Sequence, residues 1–438
     1  MFGYYLNLAL LSLRRNIVLT ALMIIAIGVG IGASMTMLTI LRAASGDPIP
    51  QKSNRLFVPQ IDNFGPKWNA WHDRDYLPPD LTYIDATALM RAHAAARQAA
   101  MYPTSLSITP PDPTRNPIQV DARATYSDFF PMFDVPFKYG RSWTQAEDDS
   151  HASVVVLARA LNDLLFGGVD SVGRKLTIDG KSYRIIGVLD DWHPSPRFYD
   201  LGGQTFSGTD QLFVPFTRAI DEQMATSGNN NCNGKGPGKG WNGFLHSNCI
   251  WIHFWVELPA AGDATSYRTF LDNYAAEQTQ TGRFSWPPRV ALRNVMQWLS
   301  YNHVVPPTVD TLTGVSFALL LVCILNATGL MLAKFMTRTG AVCVRRALGA
   351  TRPAIFAQCL VEAGVIGLVG GLLGIGLTKL GLVSCRAVLQ GDLSVLTRLH
   401  GSDVLIALAV ALAATILAGL YPTWRAARVQ PASQLKTL

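Results

Sequence analysis

Four long apolar stretches constrain this chain more than any other feature, because a mostly polar segment separates the first from the other three. They run from Ile17 to Leu41, Leu312 to Ala333, Ala354 to Leu377 and Val404 to Tyr421. A helix rises about 1.5 Å per residue, so roughly 20 apolar residues cross the hydrocarbon core of a bilayer. The first, second and fourth stretches carry no charge, and Glu362 interrupts the third. The pattern predicts a membrane protein with four transmembrane α-helices. Between the first and second it places a large α+β extracytoplasmic domain of two-lobe architecture. The expected segments are an amphipathic cytoplasmic segment at 1–16, spans at 17–41, 312–333, 354–377 and 404–421, the domain at 43–310, a cytoplasmic loop at 334–353, a short external loop at 378–403 and a cytoplasmic tail at 422–438.

Orientation follows from the basic residues. Arg14 and Arg15 precede the first span; Lys334, Arg338, Arg345, Arg346 and Arg352 lie between the second and third; Arg425, Arg428 and Lys436 follow the fourth. The third-to-fourth connection has only Arg386 and Arg398, near Asp392. Lys and Arg concentrate on the cytoplasmic side, so both termini and the 334–353 loop are expected there. These loops account for much of the formal net charge of +7, which argues against nucleic-acid binding. The first span exceeds the 7–15 residues of a signal-peptide apolar region and reads as a retained anchor. Ahead of it, Phe2 to Leu13 suits a helix lying along the inner membrane surface.

Short β-like runs recur in the insert: Ser153–Leu157, Lys175–Ile178, Tyr183–Leu189 and Leu212–Pro215, with Asp179-Gly180 as a two-residue hairpin turn. Helical patterns fall near Leu81–Gln98, Arg159–Phe166 and Ser266–Gln280. Cys232 and Cys249 flank a Gly/Asn-rich loop, and thiols outside the cytoplasm tend to pair. A bridge there would contribute about 3 kcal/mol. The alternatives are two unpaired thiols or a metal site with His246 and His253, whose spacing does not suit zinc. Cys323, Cys343, Cys359 and Cys385 read as small apolar packing residues in or near the membrane. Trp241, Trp251, Trp255 and Trp286 read as core, with an apolar binding surface as the alternative.

Nothing in the insert encodes familiar catalysis. Gly234–Gly240 lacks both the spacing and the strand-to-helix frame of a phosphate loop, and no Walker A sequence occurs elsewhere. Asp190-Asp191-Trp192-His193, followed by Pro194 and Pro196, reads as a surface turn. No Gly-x-Ser-x-Gly or His-Glu-x-x-His is present. The expectation is a permease rather than an enzyme, binding no cofactor or metal itself.

Within the spans, Gly28 and Gly32, and Gly367, Gly370, Gly371 and Gly374, stand at spacings that let helix backbones approach closely, pointing to contact between the first and third spans. Glu362, with Gln358 one turn before it, needs protein or water around it; it is expected either to hydrogen-bond Asn326 or to cap the cytoplasmic end of the bundle.

The short loop between the second and third spans reads Val344-Arg345-Arg346-Ala347-Leu348-Gly349-Ala350-Thr351, a basic, helix-prone run stopped by Gly349 and Pro353. It resembles the signature loop of the FtsX-like permease family, as does the C-terminal run from Gly419 to Pro431. In the insert, Tyr126-Ser127-Asp128-Phe129-Phe130, Gly140-Arg141-Ser142-Trp143, Leu164–Gly168, Val172–Leu176 and Ile186–Leu189 resemble the periplasmic core domain of MacB-type permeases.

The resemblance implies an inner-membrane permease that pairs with a second copy or a paralogue. An ABC ATPase subunit, holding ATP and Mg, would dock on the 344–351 loop. Its strokes would pass along the helices to a periplasmic domain without a channel between them, a mechanotransmission scheme. Export of antibiotic, peptide or lipid-linked cargo follows, with a periplasmic membrane-fusion adaptor and outer-membrane channel in envelope-spanning systems; the alternative is a signalling permease that regulates a periplasmic cell-wall hydrolase. One departure stands out. The family's Arg-Glu pair ahead of the basic run is replaced by Gly340-Ala341, which raises the expectation of an asymmetric heterodimer. The chain also begins directly at the membrane, so a fused ATPase is not expected.

Overall fold

The computed structural model describes residues 16–65, 76–202, 205–206, 210–232, 236–260, 262–305, 307–337, 344–346, 348–388 and 401–427, with Gly3, Leu8 and Leu11. The first elements are α1 (Ile17–Ser45), β1 (Leu56–Ile61), β2 (Leu81–Thr82), α2 (Tyr83–Ala92), β3 (Arg97–Thr109), β4 (Ile118–Thr125), α3 (Phe129–Met132), β5 (Phe137–Gly140), α4 (Gln145–Asp149) and β6 (Val154–Leu157). Then come α5 (Arg159–Phe166), β7 (Lys175–Ile178), β8 (Lys181–Leu189), β9 (Leu212–Pro215), α6 (Phe216–Asp221), β10 (Asn231–Cys232), α7 (Gly240–Leu245), β11 (Cys249–Glu257), α8 (Asp263–Gln280), β12 (Val290–Asn294) and α9 (Val295–Tyr301). The last are α10 (Pro307–Met336), α11 (Arg352–Val388) and α12 (Gly401–Ala427). Two units result: a helical one up to Ser45 and from Val305 onward, and an α/β one over Gly46–Val304.

In the α/β unit the described strands form one sheet in the order β12-β1-β11-β3-β4-β9-β6-β8-β5, with β2, β7 and β10 off this path. Pairs β4–β9 and β6–β8 are parallel. Both faces are covered, so strands such as Val154–Leu157 and Leu212–Pro215 are buried at every position. Alternation sends Ala100, Tyr102, Val155 and Leu212 to one core and Ala99, Met101, Val156 and Phe213 to the other. In β11, Trp251 and Ile252 join the same core because the ladder is irregular between Ile250 and Ile252. All four insert tryptophans named above pack inward, Trp251 and Trp255 being fully buried.

The helix expected over Leu81–Gln98 stops at Ala92, where His93 takes a left-handed cap, and Arg97 and Gln98 already belong to β3. Asp179 and Gly180 both have positive φ (46° and 78°), as a type I′ hairpin turn requires.

The helical unit centres on α1, which packs against α10 and α11; α12 closes on α10 and α11. Met23, Ile27, Ile31 and Met35 of α1, one turn apart, meet Ala327, Met331 and Phe335 of α10 and Cys359, Ala363 and Ile366 of α11. The outward faces are apolar too, with Ile25 and Val29 of α1 and Leu312, Val315, Leu319 and Val322 of α10 exposed. Helices apolar all round suit a lipid surround. Four of them, Ile17–Ser45, Pro307–Met336, Arg352–Cys385 and Val404–Arg425, are long and apolar enough to span a bilayer.

Candidate functional site

The described part of the α10–α11 connection, 344–346 and 348–351, ends in a closed turn. Ala350 N–H donates to Arg345 O (3.0 Å) and Gly349 N–H to Arg346 O (3.2 Å), while Gly349 has φ +100°. This pair of bonds is a Schellman stop, which needs a residue free to adopt positive φ. Thr351 Oγ1 then accepts from Ala354 N–H (3.4 Å) at the start of α11, with Pro353 in its first turn. Val344, Arg345 and Leu348 are left exposed, Leu348 at 83%. Arg345 Nη1 donates to Gln358 Oε1 at 2.8 Å, tying the loop to α11. Ala347, Gly340 and Ala341 lie outside the described residues, as do most of 1–15, Gly234-Lys235 and 428–438.

Glu362 does not reach Asn326, which is exposed on α10. Instead, Lys334 Nζ lies 2.6 Å from Glu362 Oε1 and donates to Thr20 Oγ1 at 3.2 Å, with both charged side chains buried. This corrects the expected bond to Asn326. Lys334 had read only as a topology-setting cation; a lone carboxylate inside a span, one connection away from a lysine, was the available signal.

The six glycines singled out in the spans divide between two contacts. A Cβ on Gly28 or Gly32 would meet Leu373 or Leu377 of α11, and one on Gly370 or Gly374 would meet Ile27 or Ile31 of α1. Thr378 Oγ1 also points to Gly32 O across this seam, at 3.4 Å. Gly367 and Gly371 instead face Thr415 and Ala411 of α12.

The α/β unit holds a charge cluster for which the sequence offered no motif. Arg123 of β4, fully buried, donates through Nε to Asp210 Oδ2 (2.6 Å) and through Nη2 to Asp200. Arg197 Nη2 reaches Asp200 Oδ2 at 2.7 Å, and His253 of β11 bridges Asp80 (2.6 Å) and Asp200 (3.3 Å). Three cations thus face three carboxylates. Burial alone would lower the His253 imidazole, but Asp80 and Asp200 push it up to about 10. Burial alone would raise the two carboxyls, but His253, Arg123 and Arg197 hold Asp200 well below the usual range, and Arg123 and Arg197 hold Asp210 below it. The cluster pins the β8–β9 connection to the sheet.

Two of the quoted insert motifs, Tyr126–Phe130 and Gly140–Trp143, meet at one carboxylate. Asp148 accepts from Ser127 N–H (2.8 Å) and Trp143 Nε1–H (2.9 Å), and Phe130 packs edge-on to Trp143. Burial raises the Asp148 carboxyl to about 7. Cys232 and Cys249 stand opposite each other on β10 and β11 and are joined in a disulfide. Asp191 and His193 pair at 2.8 Å on the rim of an open cleft of about 290 Å³ floored by Phe133 and Phe198. None of this places a nucleophile beside a base.

Four bilayer-length helices, one before and three after a mixed α/β insert in the chain, define a multi-pass membrane protein. Residues 20–259 match the MacB-like periplasmic core domain and residues 313–431 the FtsX-like permease C-terminal family, and the chain belongs to this MacB/FtsX-like permease family. The macrolide export ATP-binding/permease protein MacB of Azoarcus sp. (strain BH72) is 25% identical over 434 residues, covering 97% of this chain and 58% of that protein. MacB of Wolinella succinogenes is 26% identical over 436 residues, covering 97% and 59%. The pyoverdine export ATP-binding/permease protein PvdT of Pseudomonas aeruginosa is 24% identical over 310 residues, covering 70% and 41%. The chain therefore spans less than two thirds of the length of these curated relatives. Among solved structures, the periplasmic region of MacB from Actinobacillus actinomycetemcomitans is 14% identical, with 56% of this chain and 92% of that chain covered and a TM-score of 0.36.

Proposed function

We propose that this chain is the permease subunit of an ATP-driven exporter in a bacterial inner membrane, with its termini and the 334–353 loop cytoplasmic and Gly46–Val304 periplasmic. The observation that carries this reading is the loop itself. It is a basic turn closed by Gly349, presenting Leu348 outward and bound through Arg345 to α11. An exposed leucine flanked by arginines between two spans suits docking on an acidic, grooved partner surface. That partner is an ABC ATPase, which holds the ATP and Mg; this chain contributes no catalytic group. Two permease copies, or one and a paralogue, sit together, and ATPase strokes travel along the helices to the periplasmic unit. Relatives named for macrolide and pyoverdine export support cargo of amphiphilic, antibiotic- or peptide-like chemistry, handed on to a periplasmic adaptor and an outer-membrane channel.

The test is affinity purification of the full chain in mild detergent, with partners identified by mass spectrometry. An ATPase with a membrane-fusion adaptor is the expected recovery. Leu348→Asp is expected to lower ATPase recovery by at least tenfold at unchanged expression. Recovery of an ATPase with a cell-wall hydrolase would replace export by signalling, and recovery of no ATPase would overturn the reading.

A further inference from the structure

Lys334 belongs to the basic cluster that marks one side of the membrane, and such a lysine ordinarily snorkels to the interface. Here its ammonium is turned inward. It stands in the last turn of α10, fully buried, 2.6 Å from Glu362 of α11 and within hydrogen-bond reach of Thr20 in the first turn of α1. Three helices therefore converge on one charged point in a bundle whose other buried polar side chains, among the described residues, are Ser and Thr hydroxyls. One turn before Glu362, Gln358 receives Arg345 from the loop. Lys334, just before the loop, and Arg345, within it, are thus held on consecutive turns of α11.

Apolar and small-residue contacts tolerate sliding, because neighbouring turns present similar surfaces. An ion pair does not: moving α11 by one turn, about 5.4 Å, carries Glu362 out of reach of Lys334. Buried pairs are also poor devices for stability, since apolar residues of similar volume serve as well or better, and their best-attested use is fixing register. We propose that Lys334, Glu362 and Thr20 form a joint that sets the register of the α10–α11 loop against α1 and α11, so that displacement of the loop moves the α1–α11 seam with it. The register claim stands on geometry alone; its part in transmission rests on the permease reading above.

The joint separates from a merely structural role in the full chain reconstituted in nanodiscs. Spin labels are placed at Leu348 and Val18, both exposed, with Cys323, Cys343, Cys359 and Cys385 replaced and labelled chain diluted with unlabelled. The parent is expected to give a narrow distance distribution and Glu362→Gln a broad one with a lower Tm. The apolar pair Lys334→Met/Glu362→Leu is expected to keep the parent Tm yet at least double the width. The charge swap Lys334→Glu/Glu362→Lys is expected to narrow it again. An unchanged width in the apolar pair overturns the joint. Should the double variants fail to fold, Thr20→Val and Glu362→Asp decide, each expected to broaden the distribution and each overturning the proposal if it does not. ATP turnover of the co-purified complex tests transmission separately. A missing ATPase would remove the permease reading and leave the register result standing, whereas normal turnover in the apolar pair would remove transmission alone.

Discussion

Arg123 and Asp210 meet at 2.6 Å with both side chains shut off from solvent, on a strand and a connection 87 residues apart in the chain. Removing one partner from such a pair strands the other. Arg123→Met is expected to destabilise the α/β unit by about 3–5 kcal/mol. Thermal unfolding of the full chain in nanodiscs, followed by tryptophan fluorescence, would read this as a lowered first transition. A change under about 1 kcal/mol, the scale of an exposed pair, would show that water reaches the cluster.

The pH dependence has a definite sign. His253 titrates near 6.5 when unfolded and near 10 in the fold, so its contribution is complete below about pH 6.5 and is lost as pH rises through about 10. Asp148, raised to about 7 by burial, acts in the same sense: complete below about pH 3.9, lost as pH rises through about 7. Asp200 and Asp210 act oppositely, contributing above about pH 3.9 and losing that contribution as pH falls toward their lowered values. The unit should be more stable at pH 6 than at pH 10, and His253→Gln should flatten the alkaline side. An alkaline loss of the same size in that variant would exclude His253 as its source.

The α1–α11 seam leaves no room for side chains. A Cβ at Gly32 would stand 2.7 Å from Leu377 Cβ, and one at Gly374 would stand 2.8 Å from Ile31 Cγ2. Gly32→Val and Gly374→Val are each expected to cost about 1–3 kcal/mol through overpacking. Gly376, on the same helix with nothing within 4 Å of its Cβ direction, is the control, and Gly376→Ala should be neutral. Melting temperatures in detergent would separate the two positions.

The Cys232–Cys249 bridge closes a sequence separation of 17 residues. Cys232→Ser/Cys249→Ser is expected to lose about 3 kcal/mol, chiefly by freeing the unfolded chain. Protection of Gly240–Leu245 amides should fall with it in hydrogen exchange. Equal exchange in parent and variant would show that the Trp241, Phe244 and Trp251 contacts hold this segment without the bridge.

Composition and periodicity act along the chain, and whatever depends on them was legible in advance. Apolar length identified the membrane helices, because a bilayer demands it of any sequence. Asp179-Gly180 announced its turn, since only particular residues adopt two successive positive φ values. The 344–351 loop was legible as a stopped basic turn because Gly349 must supply the Schellman stop. What depends on approach across the chain was hidden. Lys334 looked like any interfacial lysine until α11 brought Glu362 beside it. Arg123, Asp200, Asp210 and His253 lie in segments with no shared spacing, and burial joins them only once β4, β11 and the β8–β9 connection come together. Gly367 and Gly371 share one helix with Gly370 and Gly374 yet face α12 rather than α1, a choice set by helix rotation. Local rules specify which conformations a segment prefers; the pairing of charges and the direction a helix face takes are settled by the cost of leaving either unmatched in a medium without water.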